Sequence, residues 1–244
     1  MGLTIALEGN IGAGKTTFLS YLKKKGWRCV DEPVVQWQGA EGGENLLSMF
    51  YADPKRWAFT FQTFAFISRS QAALGTLRHP PNMAPPASQP SASQLTSQAT
   101  VLERSLHSDK HCFAKNCHMT GLMKDAEWGV YENYHSWIMN EHPELRCDVI
   151  VYLRTDPQRC LEHIRKRGRK EEETITLSYL QELHQRHEEW LSPPQHGPGG
   201  GASLSTDQVK VLTLTCESDW ENDLARCEEM CEAISDFIEM IPAT

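Results

Sequence analysis

Three short apolar runs punctuate the chain, Leu3 to Leu7, Val149 to Leu153 and Val209 to Leu214, each closed by polar or turn-forming residues. Apolar runs of this length suit strands buried on both faces of a parallel sheet. Two shorter candidates, Cys29 to Asp31 and Thr100 to Glu103, bring the expected strands to five. Between the strands apolar residues recur at helical spacing, over Lys15–Lys25, Leu46–Leu77, Ser108–Asn116, Lys124–Glu141, Pro157–Arg167, Leu177–Leu191 and Asp219–Ile238. Strands alternating with helices predict an α/β fold, a doubly wound five-stranded parallel sheet flanked by helices, with ligands gathering outside the carboxyl ends of the strands.

Two stretches break this rhythm. His79–Gln98 is rich in Pro, Ser, Ala and Gln and carries no Asp, Glu, Lys or Arg, and Pro193–Ser205 holds three prolines and four glycines. Such compositions bury too little apolar surface to offset chain entropy. Both are expected to be flexible insertions, at 79–98 and 193–205, within one domain spanning 1–244, because 244 residues would be cramped as two domains.

Composition narrows the partners. With 24 Lys and Arg against 32 Asp and Glu the net charge is −8, which argues against a nucleic-acid partner and requires any anion to be held locally. No apolar run approaches the roughly 18 residues that span a bilayer, and Met1 stands just ahead of the first strand, so no membrane association and a cytoplasmic location are expected. The eight cysteines lack metal-site spacing and read as free thiols.

The strongest chemical signal is Gly9-Asn10-Ile11-Gly12-Ala13-Gly14-Lys15-Thr16, followed by Thr17. It fits G-x-x-x-x-G-K-[ST] and falls between a strand and a helix, where a phosphate loop must be. Its glycines let backbone N–H groups close around phosphate, Lys15 can reach the β- and γ-phosphates, and Thr16 can ligand Mg²⁺. ATP is therefore the expected cofactor. ATPases, GTPases and many kinases share this loop, so it does not name the acceptor.

Further motifs follow in order: Glu8-Gly9-Asn10-Ile11, Asp31-Glu32-Pro33-Val34, Trp57 to Gln62, Glu103-Arg104-Ser105, and Arg167-Gly168-Arg169-Lys170-Glu171-Glu172. Together they resemble the cellular deoxynucleoside kinases, from about Thr4 to Leu191 with the first insertion skipped, and more weakly at the last strand and helix. The resemblance implies transfer of the ATP γ-phosphate to the 5′-hydroxyl of a deoxyribonucleoside, in nucleotide salvage. It implies Glu32 as general base, Arg104 as a guanidinium serving both the phosphoryl group and that base, and Glu103 with Thr16 near Mg²⁺. It also implies an arginine lid over ATP built on Arg167 and Arg169. His163 stands where relatives usually carry the lid's first arginine, leaving Arg165 as a candidate substitute. A homodimer joined through helices is implied as well, with Leu46–Leu77 as one contributor.

For the nucleoside, the resemblance implies Trp37 and Phe113 beside the base, Tyr51 and Glu172 at the sugar 3′-hydroxyl, and Gln62 on the base edge. Base choice falls to Ala65, Arg69 and Asp109. An Arg and an Asp at the latter two follow the deoxycytidine and deoxyguanosine kinases, which favours deoxycytidine or purine deoxynucleosides. Tyr152-Leu153-Arg154-Thr155 and His184 to Leu191 look closer to the thymidine branch, so thymidine stays open. A nucleoside monophosphate kinase would need a basic grip on its acceptor, where Glu32 and Glu172 would repel phosphate. A regulatory nucleotide binder would not need Lys15, Glu32 and Arg104 together.

Overall fold

A computed structural model describes residues 2–39, 43–78, 99–192, 209–217, 220 and 223–241. The two expected insertions, 79–98 and 193–205, lie outside the described residues. Five strands, β1 Thr4–Gly9, β2 Arg28–Val30, β3 Thr100–Glu103, β4 Val149–Thr155 and β5 Lys210–Cys216, pair in parallel in the order β2-β3-β1-β4-β5. The α/β fold class read from the sequence is therefore the one observed.

Alternation along each inner strand feeds two cores. Ile5, Leu7, Val101, Val149, Val151 and Leu153 pack on one face, against α1 (Lys15–Lys24), α8 (Pro157–Arg167), α9 (Leu177–Leu191) and α10 (Leu224–Glu239). Ala6, Leu102, Ile150 and Tyr152 face the other side, against α4 (Pro54–Arg78) and α7 (Asp125–Glu141). Burial on both faces is why these strands lack polar alternation. β5 departs from the expectation of full burial, since Lys210, Thr213 and Thr215 are exposed on this edge strand.

Three helices differ from their predicted spans. The Leu46–Leu77 run divides into α3 (Leu46–Ala52) and α4, because Pro54 has no N–H to continue the ladder and restricts Asp53, which sits at φ −139°. The final helix begins at Leu224, not Asp219, where the Asp223 side chain accepts from the Arg226 N–H at 3.0 Å. Ser108–Asn116 is part of a longer run, in which α5 (Leu106–Ser108) passes through a π-helical stretch, Asp109–Ala114, into α6 (Lys115–Met119). A short α2, Val34–Trp37, was not anticipated.

β1 lies between β3 and β4, so the chain winds to one side of β1 and then to the other. That reversal opens a crevice at the carboxyl ends of β1 and β3, into which the β2 end also points.

Candidate active site

The loop after β1 is shaped by what packs on it. Gly12 adopts φ +79°, and a Cβ there would lie 2.3 Å from the Cys160 carbonyl oxygen on α8. Gly14 adopts φ +94° at the start of α1, and a Cβ would lie 2.5 Å from the Trp220 ring. Only glycine fits both the backbone and the space. The first-turn N–H groups of α1 are thereby left facing the crevice, as an anion site requires.

Lys15 folds back over this loop, its ammonium 2.7 Å from the Asn10 carbonyl oxygen and 3.2 Å from that of Gly9. Burial disfavours its charge and Arg104 repels it, which together outweigh Glu103, Glu32 and Glu8 and bring its pKa down to about 7. Thr16 donates its hydroxyl to Glu103 Oε1 at 2.7 Å. Gly9, Asn10 and Ala13 do not border the cleft; Asn10 is a buried brace, its amide donating to the Leu180 carbonyl at 2.8 Å.

Glu32, just after β2, sits between two guanidinium groups. Arg69 Nη2 is 3.0 Å and Arg104 Nε 3.2 Å from its Oε1. Burial alone would push the carboxyl up, but Arg69, Arg104 and Lys15 overcome this and hold it at about 2. Arg104 has the left-handed φ of 68°, rare for a residue with a side chain. Its backbone N–H reaches the Leu7 carbonyl at 3.0 Å, Nη1 reaches the Gly9 carbonyl at 2.7 Å, and its guanidinium stacks 4.6 Å from the Phe113 ring. Ser105 is pinned beside it by Glu8 Oε1, which accepts both its N–H and its hydroxyl.

Arg69 also donates to Asp109 Oδ2 at 2.9 Å and to the Glu103 carbonyl at 3.2 Å. Asp109 enters the cleft from the π-helical stretch, whose extra residue per turn re-aims side chains there. Opposite, Arg167 and Arg169 grip the two oxygens of Glu172 at 2.5 and 2.6 Å. Trp37 stands edge-on to Phe61, which stacks on Phe50.

These groups border one cleft of about 430 Å³. Ile11, Gly12, Gly14, Lys15, Thr16, Thr17, Arg167 and Arg169 line one region, and Glu32, Trp37, Tyr51, Gln62, Ala65, Arg69, Asp109, Phe113 and Glu172 line the rest, with Glu103 and Arg104 alongside. Arg165 does not line it; Lys166 and His163 do, and His163 Nδ1 sits 2.8 Å from the Gly12 carbonyl oxygen. A carbonyl only accepts, so Nδ1 carries the proton. Leu47, Phe50, Phe61, Tyr179 and Trp220 were missed as cleft residues. Phe61 adjoins Gln62 in a motif already singled out, whereas Trp220 gave no local signal.

A glycine cradle facing a carboxylate held between arginines is the site of a phosphate-loop phosphotransferase. The family model for deoxynucleoside kinases matches residues 5–239. The chain is 35% identical to deoxycytidine kinase 2 of Gallus gallus, covering 96% of this chain and 89% of that protein. It is 34% identical to human deoxycytidine kinase, covering 97% and 91%, and 32% identical to the mitochondrial deoxyguanosine kinase of Xenopus laevis, covering 96% and 89%. The chain belongs to the deoxynucleoside kinase family, and its activity is ATP-dependent phosphorylation of deoxynucleosides.

Proposed function

We propose that the enzyme transfers the ATP γ-phosphoryl group to the 5′-hydroxyl of deoxycytidine or a purine deoxynucleoside, with Glu32 as base. The observation that carries this reading is the Glu32–Arg69–Asp109 chain, which joins the reacting end of the cleft to the end enclosed by Ala65 and Phe113.

Glu32 orients the 5′-hydroxyl and accepts its proton as that oxygen bonds to the γ-phosphorus and the bond to the bridging oxygen of ADP breaks. A carboxylate at about 2 is a weak base, but a loose phosphoryl transition state asks for proton removal late. Arg104 turning toward the phosphoryl oxygens withdraws one of the cations that depress Glu32, raising its basicity as the proton must leave. Arg167 and Arg169 exchange Glu172 for phosphate oxygens, freeing that carboxylate for the sugar 3′-hydroxyl near Tyr51. Lys15 moves from the loop carbonyls to the β- and γ-phosphates. The Thr16 hydroxyl and Glu103 carboxylate, both hard oxygen donors at the cleft, fit Mg²⁺, which would supply charge neutralisation of the phosphates.

At the base, Asp109 accepts from an exocyclic amine and Arg69 donates to carbonyl or ring acceptors. Thymine offers no such amine, and its 5-methyl group would approach a buried ion pair. A homodimer through α4 and α7 is part of this reading, supported by exposed Ile67, Val130 and Trp137 on those helices. So are a single domain over 1–244 and a cytoplasmic site of action; no helix among the described residues is long and apolar enough to cross a membrane. Phosphorylation rates for deoxycytidine, deoxyguanosine, deoxyadenosine and thymidine, measured together with ATP-Mg²⁺, test the proposal. A kcat/KM highest for thymidine would overturn the base assignment.

A further inference from the structure

Glu171 does not border the cleft, although its neighbours Arg169 and Glu172 do. Its carboxylate turns instead toward the opposite wall. Oε1 accepts from the side-chain amide of Asn45 at 2.7 Å and from that of Gln38 at 3.2 Å. Both amides sit at helix ends. Gln38 closes α2, which contributes Val34 and Trp37 to the cleft, and Asn45 opens α3, which contributes Leu47, Phe50 and Tyr51.

Asn45 is committed in both directions. Its Oδ1 accepts from the Ser48 N–H at 2.9 Å as the cap of α3, which leaves Nδ2 aimed at Glu171. A single carboxylate oxygen on the turn Lys170–Glu172, which directly follows Arg167 and Arg169, therefore ties together the two helices that wall the acceptor region. An exposed rim contact would be worth little, but here one half-buried acceptor serves two donors, and Asn45 holds its carboxyl below the ordinary range, with further help from Gln38.

We propose that Glu171 is a positioning residue that couples the lid to the nucleoside wall, so that ordering either α2 and α3 around the nucleoside or the lid arginines around the triphosphate favours binding of the other ligand. This rests on the kinase reading above. A ligand that fixes one partner of a shared contact spares the second ligand part of the ordering cost, and the coupling is reciprocal.

The test is the dissociation constant of deoxycytidine with and without a non-hydrolysable ATP analogue and Mg²⁺, measured in the unmodified enzyme, Glu171→Ala, Glu171→Gln and Asn45→Asp. Asn45→Asp keeps the acceptor that caps α3 but loses the amide donor and faces Glu171 with like charge. The unmodified enzyme is expected to bind the nucleoside about fivefold or more tightly with the analogue present, within the usual span of coupling between sites. In Glu171→Ala and Asn45→Asp that ratio falls toward one, while each ligand's affinity alone stays within about twofold. Glu171→Gln, which retains an acceptor oxygen, keeps an intermediate ratio. Should Glu171→Ala fail to fold, Asn45→Asp decides. An unchanged ratio in Asn45→Asp, or no coupling in the unmodified enzyme, overturns the proposal. If the unmodified enzyme phosphorylates no deoxynucleoside, the kinase reading fails instead.

Discussion

Replacing Arg69 by Met removes the guanidinium that pairs directly with both Asp109 and Glu32. At 2.9 Å, and with an effective dielectric of about 20, the Arg69–Asp109 attraction is about 6 kcal/mol before desolvation is subtracted. The side chains are 7% and 2% exposed, so desolvation cancels much of that, and the intact pair adds little net stability. Removal of one partner is a different matter. Asp109, whose carboxyl burial already pushes up against the pull of Arg69, is left unpaired, and the loss is expected to be about 3–5 kcal/mol in urea unfolding. Arg69→Met with Asp109→Leu removes both charges and is expected to recover most of it. The single variant should also show a second change. Glu32 loses one of its two guanidinium partners, its carboxyl rises from about 2, and the acid limb of kcat moves to higher pH. A single variant within about 1 kcal/mol of the unmodified protein, or a double variant no more stable than the single, would refute the reasoning.

Glu32→Gln keeps the shape and removes the proposed base, so kcat should fall by about 10²- to 10⁴-fold with nucleoside KM little changed; an unchanged kcat in single-turnover assays would remove Glu32 from the proton path. Lys15, near 7 in the free enzyme, is expected to be drawn back to the charged form by phosphate. ATP binding should therefore take up a proton at pH 8 and none at pH 6, and weaken as pH rises from 7 to 9; calorimetry in buffers of different ionisation heat reads the uptake, and its absence at pH 8 counts against a buried neutral lysine. Burial lowers His107 and His135 to about 4 and His111 and His187 to about 3 from an ordinary 6.5. Depressed values mean stability that is full above 6.5 and lost as pH falls toward 4 and below. The Tm, which Lys15 already lowers as pH falls from 8 to 7, should thus go on falling from pH 6.5 to 5; a Tm unchanged between pH 6.5 and 5 would show that these histidines are not held neutral.

The sheet was legible because its signal is local. Three strands are apolar runs, the phosphate loop lies between a strand and a helix, β3 ends on Glu103, and Glu32 follows two residues after β2. What failed was set by single residues or by distant packing. Pro54 was overlooked within an otherwise helical run, although it marks the break between α3 and α4. The π-helical stretch leaves no periodic mark over six residues, yet it aims Asp109 and Phe113 into the cleft. Trp220 reaches Gly14 across the whole chain. Arg165 was a matter of helix phase: at one residue from Lys166 it faces elsewhere, and Lys166 borders the cleft.

The feature least visible from sequence is how Arg104 is held. Arg104 occupies a backbone conformation that costs of order 1–3 kcal/mol for such a residue and persists only where its surroundings over-determine it. Those surroundings come from β1. Leu7 accepts its N–H, Gly9 its guanidinium, and the fully buried Glu8 fixes Ser105 with one oxygen, while its other oxygen accepts no hydrogen bond among the described residues. Burial pushes the Glu8 carboxyl up, despite the nearby Arg104 charge, which suits a group sheltered from water on every side. Three consecutive positions of one strand thus restrain an arginine that borders the cleft beside that strand's loop. The strain is local, but its restraint is built into the central strand of the sheet, where both cores hold it in place.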